Sequence, residues 1–433
     1  MSVHRTRFVQ HLSESLLALC AIVLGALSVP ATATGQEAAE AARDSSAAAD
    51  TTAPADSTNA DAVDKFLEGF RLYGSLRVQG VTYEGATELQ ENGSRVGFRL
   101  TRDFFDSGIQ VFGQVELGIR LMQNFTNFNV SQNQSGLGRL EPGSREDAIY
   151  TRLGFVGFDF GDFGILQAGK QWSTYYDVAG YTDNFHVFGG SASGTYTLQS
   201  DGGGSGTGRA DKTLSYRNRV GNFSLGAQAQ LEANKFTGLG SVGGSAQYRF
   251  PFGLTLGVAG NYSDIPEVIS ESLLGAEDQG SAIVLGAKLE RRRLFFAINY
   301  SIQDSHDART VDSVTVAYGG HGVEAFGYYE ISRRFRVSGG FNSFAPNALE
   351  PIDPDFRVRY GVLGGAYYLN SQTLVYAEWK IEDSVGPRGL RLPNVFALGV
   401  RLDFGLPEMQ RNDAPPLRFP ESAAESRSEE STD

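Results

Sequence analysis

The sequence predicts an all-β protein, a 16-stranded antiparallel transmembrane β-barrel with a long inward-folded constriction loop. Three observations predict it. Apolar and polar residues alternate with period two in about sixteen segments between Arg71 and Phe404, the signature of strands with two unlike faces. The segments run to about ten residues, which at ~3.3 Å each and a tilt near ~40° cover roughly 25 Å, the height of the apolar band of an outer-membrane barrel. The connectors alternate too. Short ones, "GDFG" (161–164), "VGN" (220–222), "PFG" (251–253) and "SRR" (332–334), trade places with longer ones at 123–147, 264–279, 304–320, 345–355 and 383–393.

The chain opens with Arg5 and Arg7, an apolar run from Leu16 to Val29, and small residues around Ala31-Thr32-Ala33. That run spans about 21 Å as a helix, short of the ~30 Å of a bilayer core, so residues 1–33 read as a cleaved export signal peptide. Cys20 is the one cysteine in the chain. A lipoprotein reading through "LALC" fails on the bulk of Leu19, and a mature chain without cysteine has no disulfide or thiolate metal site. Residues 34–69, rich in Ala, Asp, Ser and Thr, read as a flexible low-complexity periplasmic leader, because such composition buries too little apolar surface to offset ordering entropy.

The barrel is expected over 70–404. In "RLYGSLRVQGVTY", Leu72, Leu76 and Val78 share one face while Arg71, Ser75, Arg77 and Gln79 share the other. In "GIQVFGQVELGIRLM", Val111, Val115 and Leu117 alternate with Gln110, Gln114 and Glu116. One face meets lipid and the other a wet, charged lumen that also receives Arg95, Arg99, Arg217, Glu378, Lys380, Arg401 and Asp403. About sixteen strands leave an aqueous channel, where eight would fill the interior with side chains. The glycine-rich stretch 173–208 is too long for a turn, and we expect it to fold inward and narrow that channel. Residues 405–433 form an acidic tail. Of the net charge of −13, residues 36–65 hold −5 and residues 406–433 hold −4, so the acidity belongs mostly to the extensions.

The run "TRLGFVGFDFGDFGILQAGKQW…YYDVAGYTDNFHVFGG…GRADKTLSYRN" (151–218), with "LYG" (72–74), "SRVGF" (94–98) and "GQVE" (113–116), resembles the general diffusion porins of enteric, Gram-negative outer membranes. The likeness is dense over about 70–220 and continues as pattern to Phe404. It implies a passive, cofactor-free outer-membrane porin for ions and small hydrophilic solutes, a homotrimer with both termini periplasmic. It also implies a pore constriction in which a ladder of bases, Arg95, Lys170 and Arg209 with Arg77 nearby, faces Asp183 on the loop and Glu116 on the wall. Where the family's loop reads Pro-Glu before Phe-Gly-Gly, this chain has His186-Val187. One charge ~10 Å from a passing ion is worth about 0.4 kcal/mol at ε ≈ 80 and about 1.7 at ε ≈ 20. Its loss shifts a weak selectivity toward anions. Gly74, Gly97 and Gly399 would permit close packing between copies.

Other features read more plainly. "DGGGSGTGR" (201–209) lacks the Lys-Ser/Thr pair and helix of a phosphate loop and reads as loop returning to the wall. His306 and His321 lack ligand spacing, so no metal site is expected. Trp172 and Trp379 read as packing or girdle residues. Five histidines, two of them in the signal, leave little general-base capacity for an enzyme, and no nucleic-acid partner is expected. The alternatives are a substrate-specific porin for sugars or anions, and a structural anchor touching the cell wall through the extensions.

Overall fold

The computed structural model describes residues 69–104, 108–122, 128, 148–197, 200–232, 239–265, 271, 274–275, 277–347 and 350–405. The expected signal peptide, nearly all of the leader and the tail from residue 406 lie outside the described residues. The strands begin with β1 (Phe70–Tyr83), β2 (Ala86–Glu91), β3 (Arg95–Phe104), β4 (Ile109–Ile119), β5 (Ile149–Asp159), β6 (Ile165–Trp172) and β7 (Arg209–Val220). They continue with β8 (Phe223–Leu231), β9 (Leu239–Arg249), β10 (Leu254–Asp264), β11 (Gln279–Arg291) and β12 (Leu294–Val311). The last are β13 (Val314–Glu330), β14 (Phe335–Pro346), β15 (Val358–Tyr368), β16 (Thr373–Glu382) and β17 (Val395–Phe404).

All pairings between neighbours in the wall are antiparallel. β1 pairs with β3 over its first part and with β2 over its last, so β2 and β3 share one place in the wall. Seventeen segments thus fill sixteen places, and β17 pairs with β1 from Phe404 opposite Gly74 to Phe396 opposite Thr82. The ring closes and leaves no edge strand, as a wall crossing hydrocarbon requires.

Polarity is inside out relative to a water-soluble sheet. Along β17, Phe396, Leu398, Val400 and Leu402 stand exposed, whereas Ala397, Arg401 and Asp403 are buried toward the interior. β4 alternates likewise, with Gln114 and Glu116 turned in. Gly97 and Gly399 face inward opposite Tyr73 and Tyr376, whose rings occupy the space a Cβ would need, and Phe404 fills that of Gly74. At each of the three an aromatic ring of the chain's own wall covers a cross-strand glycine.

The stretch 304–320 is not a loop. β12 and β13, of 18 and 17 residues, run through it to a two-residue turn at Asp312-Ser313, both with positive φ (49° and 69°), the backbone a tight hairpin requires. Its polar composition hid it, because strands that outrun their neighbours meet water on the outer face and lose the apolar alternation lipid imposes. Val311 and Val316 are still turned in and buried. The short turns from β3–β4 through β15–β16, the start of β1 and the end of β17 lie on one rim of the barrel, and the tight β1–β2 and β12–β13 hairpins lie on the other. The longer connections lie on that second rim too.

A charge on the lipid face is costly near the middle of a strand. Leu398→Arg is expected to lower the stability of the folded barrel by about 2–4 kcal/mol and Leu402→Arg, near the rim, by about 0–1, measured by urea unfolding in lipid vesicles.

Candidate functional site: a loop across the barrel lumen

The connection from β6 to β7 enters the barrel. Its neck is tied by Ser173 N–H donating to Gly208 O (2.9 Å) and Ser173 Oγ donating to Thr207 O (2.7 Å). A single helical turn, α1 (Tyr176–Ala179), follows, with Tyr176 stacked on Trp172 at 4.0 Å. Val178 and Tyr181 then fit against Gly257 of β10 and Gly286 of β11, where a side chain would displace them. Asp177 pairs with Arg217 of β7 at 3.1 Å and accepts from Ser245 Oγ at 2.9 Å.

Two wall glutamates hold the middle of the loop. Glu378 of β16 accepts the backbone N–H groups of His186 (2.6 Å), Val187 (2.9 Å) and Phe188 (3.1 Å). Glu324 of β13 accepts from Thr182 Oγ1 (2.6 Å) and from the N–H groups of Ala192 (2.6 Å) and Ser193 (2.8 Å). β12 satisfies the loop's carbonyls: Asn299 donates to Ala179 O (2.8 Å), Ser301 to Ala192 O (2.6 Å) and His306 Nε2 meets Gly194 O (2.8 Å). Tyr360 donates to Gly189 O (2.7 Å), and Phe185 packs edge-on against Phe326 (4.7 Å). The bonds to the two glutamates are charge-assisted and worth about 1.5–3 kcal/mol each, the neutral ones about 0.5–1.5. The loop is therefore an inner layer fixed to the arc from β8 to β16.

The arc from β17 through β1 to β7 carries inward bases. The expected site residues fall there and on the loop, each held by its own partners. Arg95 approaches Glu116 (4.0 Å), which also accepts from Arg152 Nε (2.7 Å) and Tyr73 Oη (3.1 Å). Lys170 and Arg209 share Asp201 at 3.0 and 3.2 Å, Lys170 also reaches Asp211 (3.4 Å), and Arg209 lies over the Trp172 ring. Arg77 donates to Ser75 Oγ (2.8 Å), on the side where the His186 ring stacks on Tyr376 (4.9 Å). Asp183 accepts from Tyr176 Oη (2.7 Å) and Tyr196 Oη (3.0 Å). Val187 points into packed side chains, only 2 % exposed, whereas His186 is half-buried.

Sequence reasoning missed Arg152, Asp201 and the docking role of Glu324 and Glu378. Arg152 sits at a β-bulge where the register slips between Glu116 and Leu117, which puts Arg152 and Leu153 both inward; strict alternation cannot place it. The glutamates do sit at inward positions of their strands, but their partners are amides more than a hundred residues away. Trp379 is exposed on the lipid face and Trp172 packs in the loop neck. Among the described residues no three His, Cys, Asp or Glu side chains gather as metal ligands. Burial would raise the Asp201 carboxyl, but Arg209 and Lys170 outweigh it and hold it below the usual carboxylate range.

A closed wall, a polar interior and a loop docked inside it define a water-filled channel through a membrane. The sequence profile of the Gram-negative porin family matches residues 29–384, and the chain belongs to that family. It is similar to outer membrane porin N of Escherichia coli, 25% identical over 371 residues covering 77% of this chain and 91% of that one. It is also similar to outer membrane porin C of Enterobacter cloacae, 25% identical over 300 residues covering 64% and 82%. In fold it resembles Salmonella typhi OmpF, with a TM-score of 0.62 at 20% identity over 77% of this chain and 97% of that one. The protein is an outer-membrane porin, a passage for passive diffusion.

Removing the Glu378 carboxylate leaves three loop amides without their acceptor. Glu378→Ala is expected to loosen the loop, raising single-channel current noise and speeding hydrogen exchange of residues 186–188 by at least tenfold, with the barrel still folded. The Asp201 tether has the opposite robustness: a carboxyl whose folded pKa is depressed loses its contribution only as pH falls through that lower value. The Asp201 link to Lys170 and Arg209 is therefore expected to stay constant from pH 7 to about 4, the ordinary Asp range, and to be lost below it, read as hydrogen exchange of residues 200–208 corrected for the intrinsic pH dependence. Asp201→Asn should show the faster exchange of residues 200–208 at every pH.

Proposed function

We propose that this porin is a general diffusion channel of weak charge selectivity, and that its narrowest part is the gap between loop 173–208 and the inward bases of the β17–β7 arc. One observation carries this reading: the loop's hydrogen bonds run to the strands from β8 to β16, while Arg77, Arg95, Arg152 and Arg401 are turned inward on the opposite arc of the wall. In that arrangement Asp183 and the arginines set a transverse field that orients water and dipolar solutes and disfavours apolar ones. Asp183 is bridged toward the bases by Tyr196, whose hydroxyl burial and Asp183 push up in pKa while Arg209 and Arg152 oppose. The acid missing at Val187 supports a selectivity leaning toward anions relative to the enteric pattern. The packed Val187 side chain supports its being a wall position here rather than a lumen one.

The same reading takes the protein as a homotrimer, as in the Vibrio cholerae OmpT of similar fold that is known in a trimer form. It places both termini and the short-turn rim in the periplasm, and it assigns no enzymatic step to the lumen.

Conductance and zero-current potential in a planar bilayer under a KCl gradient test it. Steps in groups of three with a potential near zero or anion-leaning are expected, and His186→Glu should shift the permeability ratio toward cations by about two- to fifteenfold. Silent bilayers with correctly folded protein would overturn the channel reading in favour of a structural anchor.

A further inference from the structure

The short-turn rim carries bases that the barrel does not use. The β11–β12 turn presents Arg291, Arg292 and Arg293, and the β13–β14 turn presents Arg333 and Arg334, all five exposed. The nearest acids of their own strands are engaged by inward cations, Glu290 with Lys288 (3.8 Å) and Glu330 with Arg336 (3.0 Å). The five arginines form no ion pair among the described residues. Two strands separate the two turns, so at ~4.8 Å per strand the clusters lie roughly 10–15 Å apart along the rim. Like charges gathered this closely repel unless an anion joins them.

β17 ends at this rim, because the chain crosses the wall alternately and returns at Phe404 beside the start of β1. The 28 residues that follow Gly405 hold seven acids against three bases. From the end of β17 the β13–β14 turn is about three to four strand spacings away and the β11–β12 turn about five to six, roughly 15–30 Å. The reach of 28 residues, taken as the r.m.s. span of a random coil at about 5–6 Å × √28, is ~30 Å. Reach, sign and starting point agree. We infer that the acidic segment 406–433 docks by charge on the arginine rim of the β11–β12 and β13–β14 turns.

Single exposed ion pairs are weak, so the contact is a fluctuating one summed over several pairs and set by ionic strength. It keeps the acidic segment beside its own barrel and occupies the rim that anionic lipid headgroups or cell-wall carboxylates would otherwise meet.

The test uses the full chain with Cys20→Ser, spin-labelled through Ser332→Cys on the rim and Ser428→Cys in the segment, reconstituted in phosphatidylcholine vesicles. Pulsed electron–electron distances should show a short population at about 0.01 M salt that is lost by about 1 M, as the Debye length falls from about 30 to about 3 Å. The same population should be lost at low salt when Arg291, Arg292, Arg293 and Arg334 are all changed to Ser, and halved when only Arg292→Ser and Arg293→Ser are made. Unchanged channel conductance serves as the fold control. A distance distribution that ignores both salt and the arginines would overturn the inference, as would a short population displaced once phosphatidylglycerol is included, which would assign the rim to lipid.

Discussion

Every backbone polar group that crosses hydrocarbon needs a partner within the protein, and the β1–β17 pairing supplies the last of them. The rest of the structure is arranged around keeping that ring unbroken. Where the wall is interrupted between β2 and β3, side chains replace the ladder. Arg77 N–H donates to Ser94 Oγ (2.9 Å), Ser94 Oγ returns to Arg77 O (3.2 Å), and Glu91 accepts from Gly93 and Ser94 N–H (2.8 and 3.3 Å). The interruption is then put to use: Asn92 turns inward and donates both to His186 O and to Tyr376 Oη, each at 2.8 Å. A gap in the wall becomes an anchor for the loop.

The same constraint governs that loop, because irregular backbone in a crowded lumen has its own donors and acceptors to satisfy. Carboxylates of β13 and β16 take its amides, and amide and hydroxyl groups of β12 and β15 take its carbonyls. Rigidity follows from this complementarity rather than from the loop's glycine-rich sequence, which by propensity would favour a mobile chain. The loop's order is thus a property of strands more than a hundred residues downstream.

That division explains what could be read from sequence. Strand existence, facing and the inward loop were legible, since lipid on one side and water on the other enforce alternation from β1 to β17. Legibility failed where the enforcement stops. Above the membrane the β12–β13 hairpin loses its apolar outer face and resembles a loop, and at the bulge beside Glu116 a single extra residue turns Arg152 inward against the pattern. The seven residues proposed for the constriction were all inward or on the loop, but their pairings, Lys170 and Arg209 with Asp201 above all, depend on how residues 200–208 return to the wall.

The partners of the lumen's charges matter as much as their number. A carboxylate already accepting two or three short bonds, as Glu378, Glu324 and Glu116 do, has its lone pairs directed at fixed donors and offers little to a passing cation. The inward arginines are differently placed. A guanidinium carries five donors in a planar fork and is not satisfied by one neighbour; Arg152, which holds Glu116 through Nε, has an Nη1 that is buried without an acceptor among the described residues. Acids in this barrel are chiefly structural, their lone pairs filled by fixed donors, whereas a buried guanidinium holds more donors than one carboxylate accepts, and the asymmetry arises from valence of hydrogen bonding rather than from net charge.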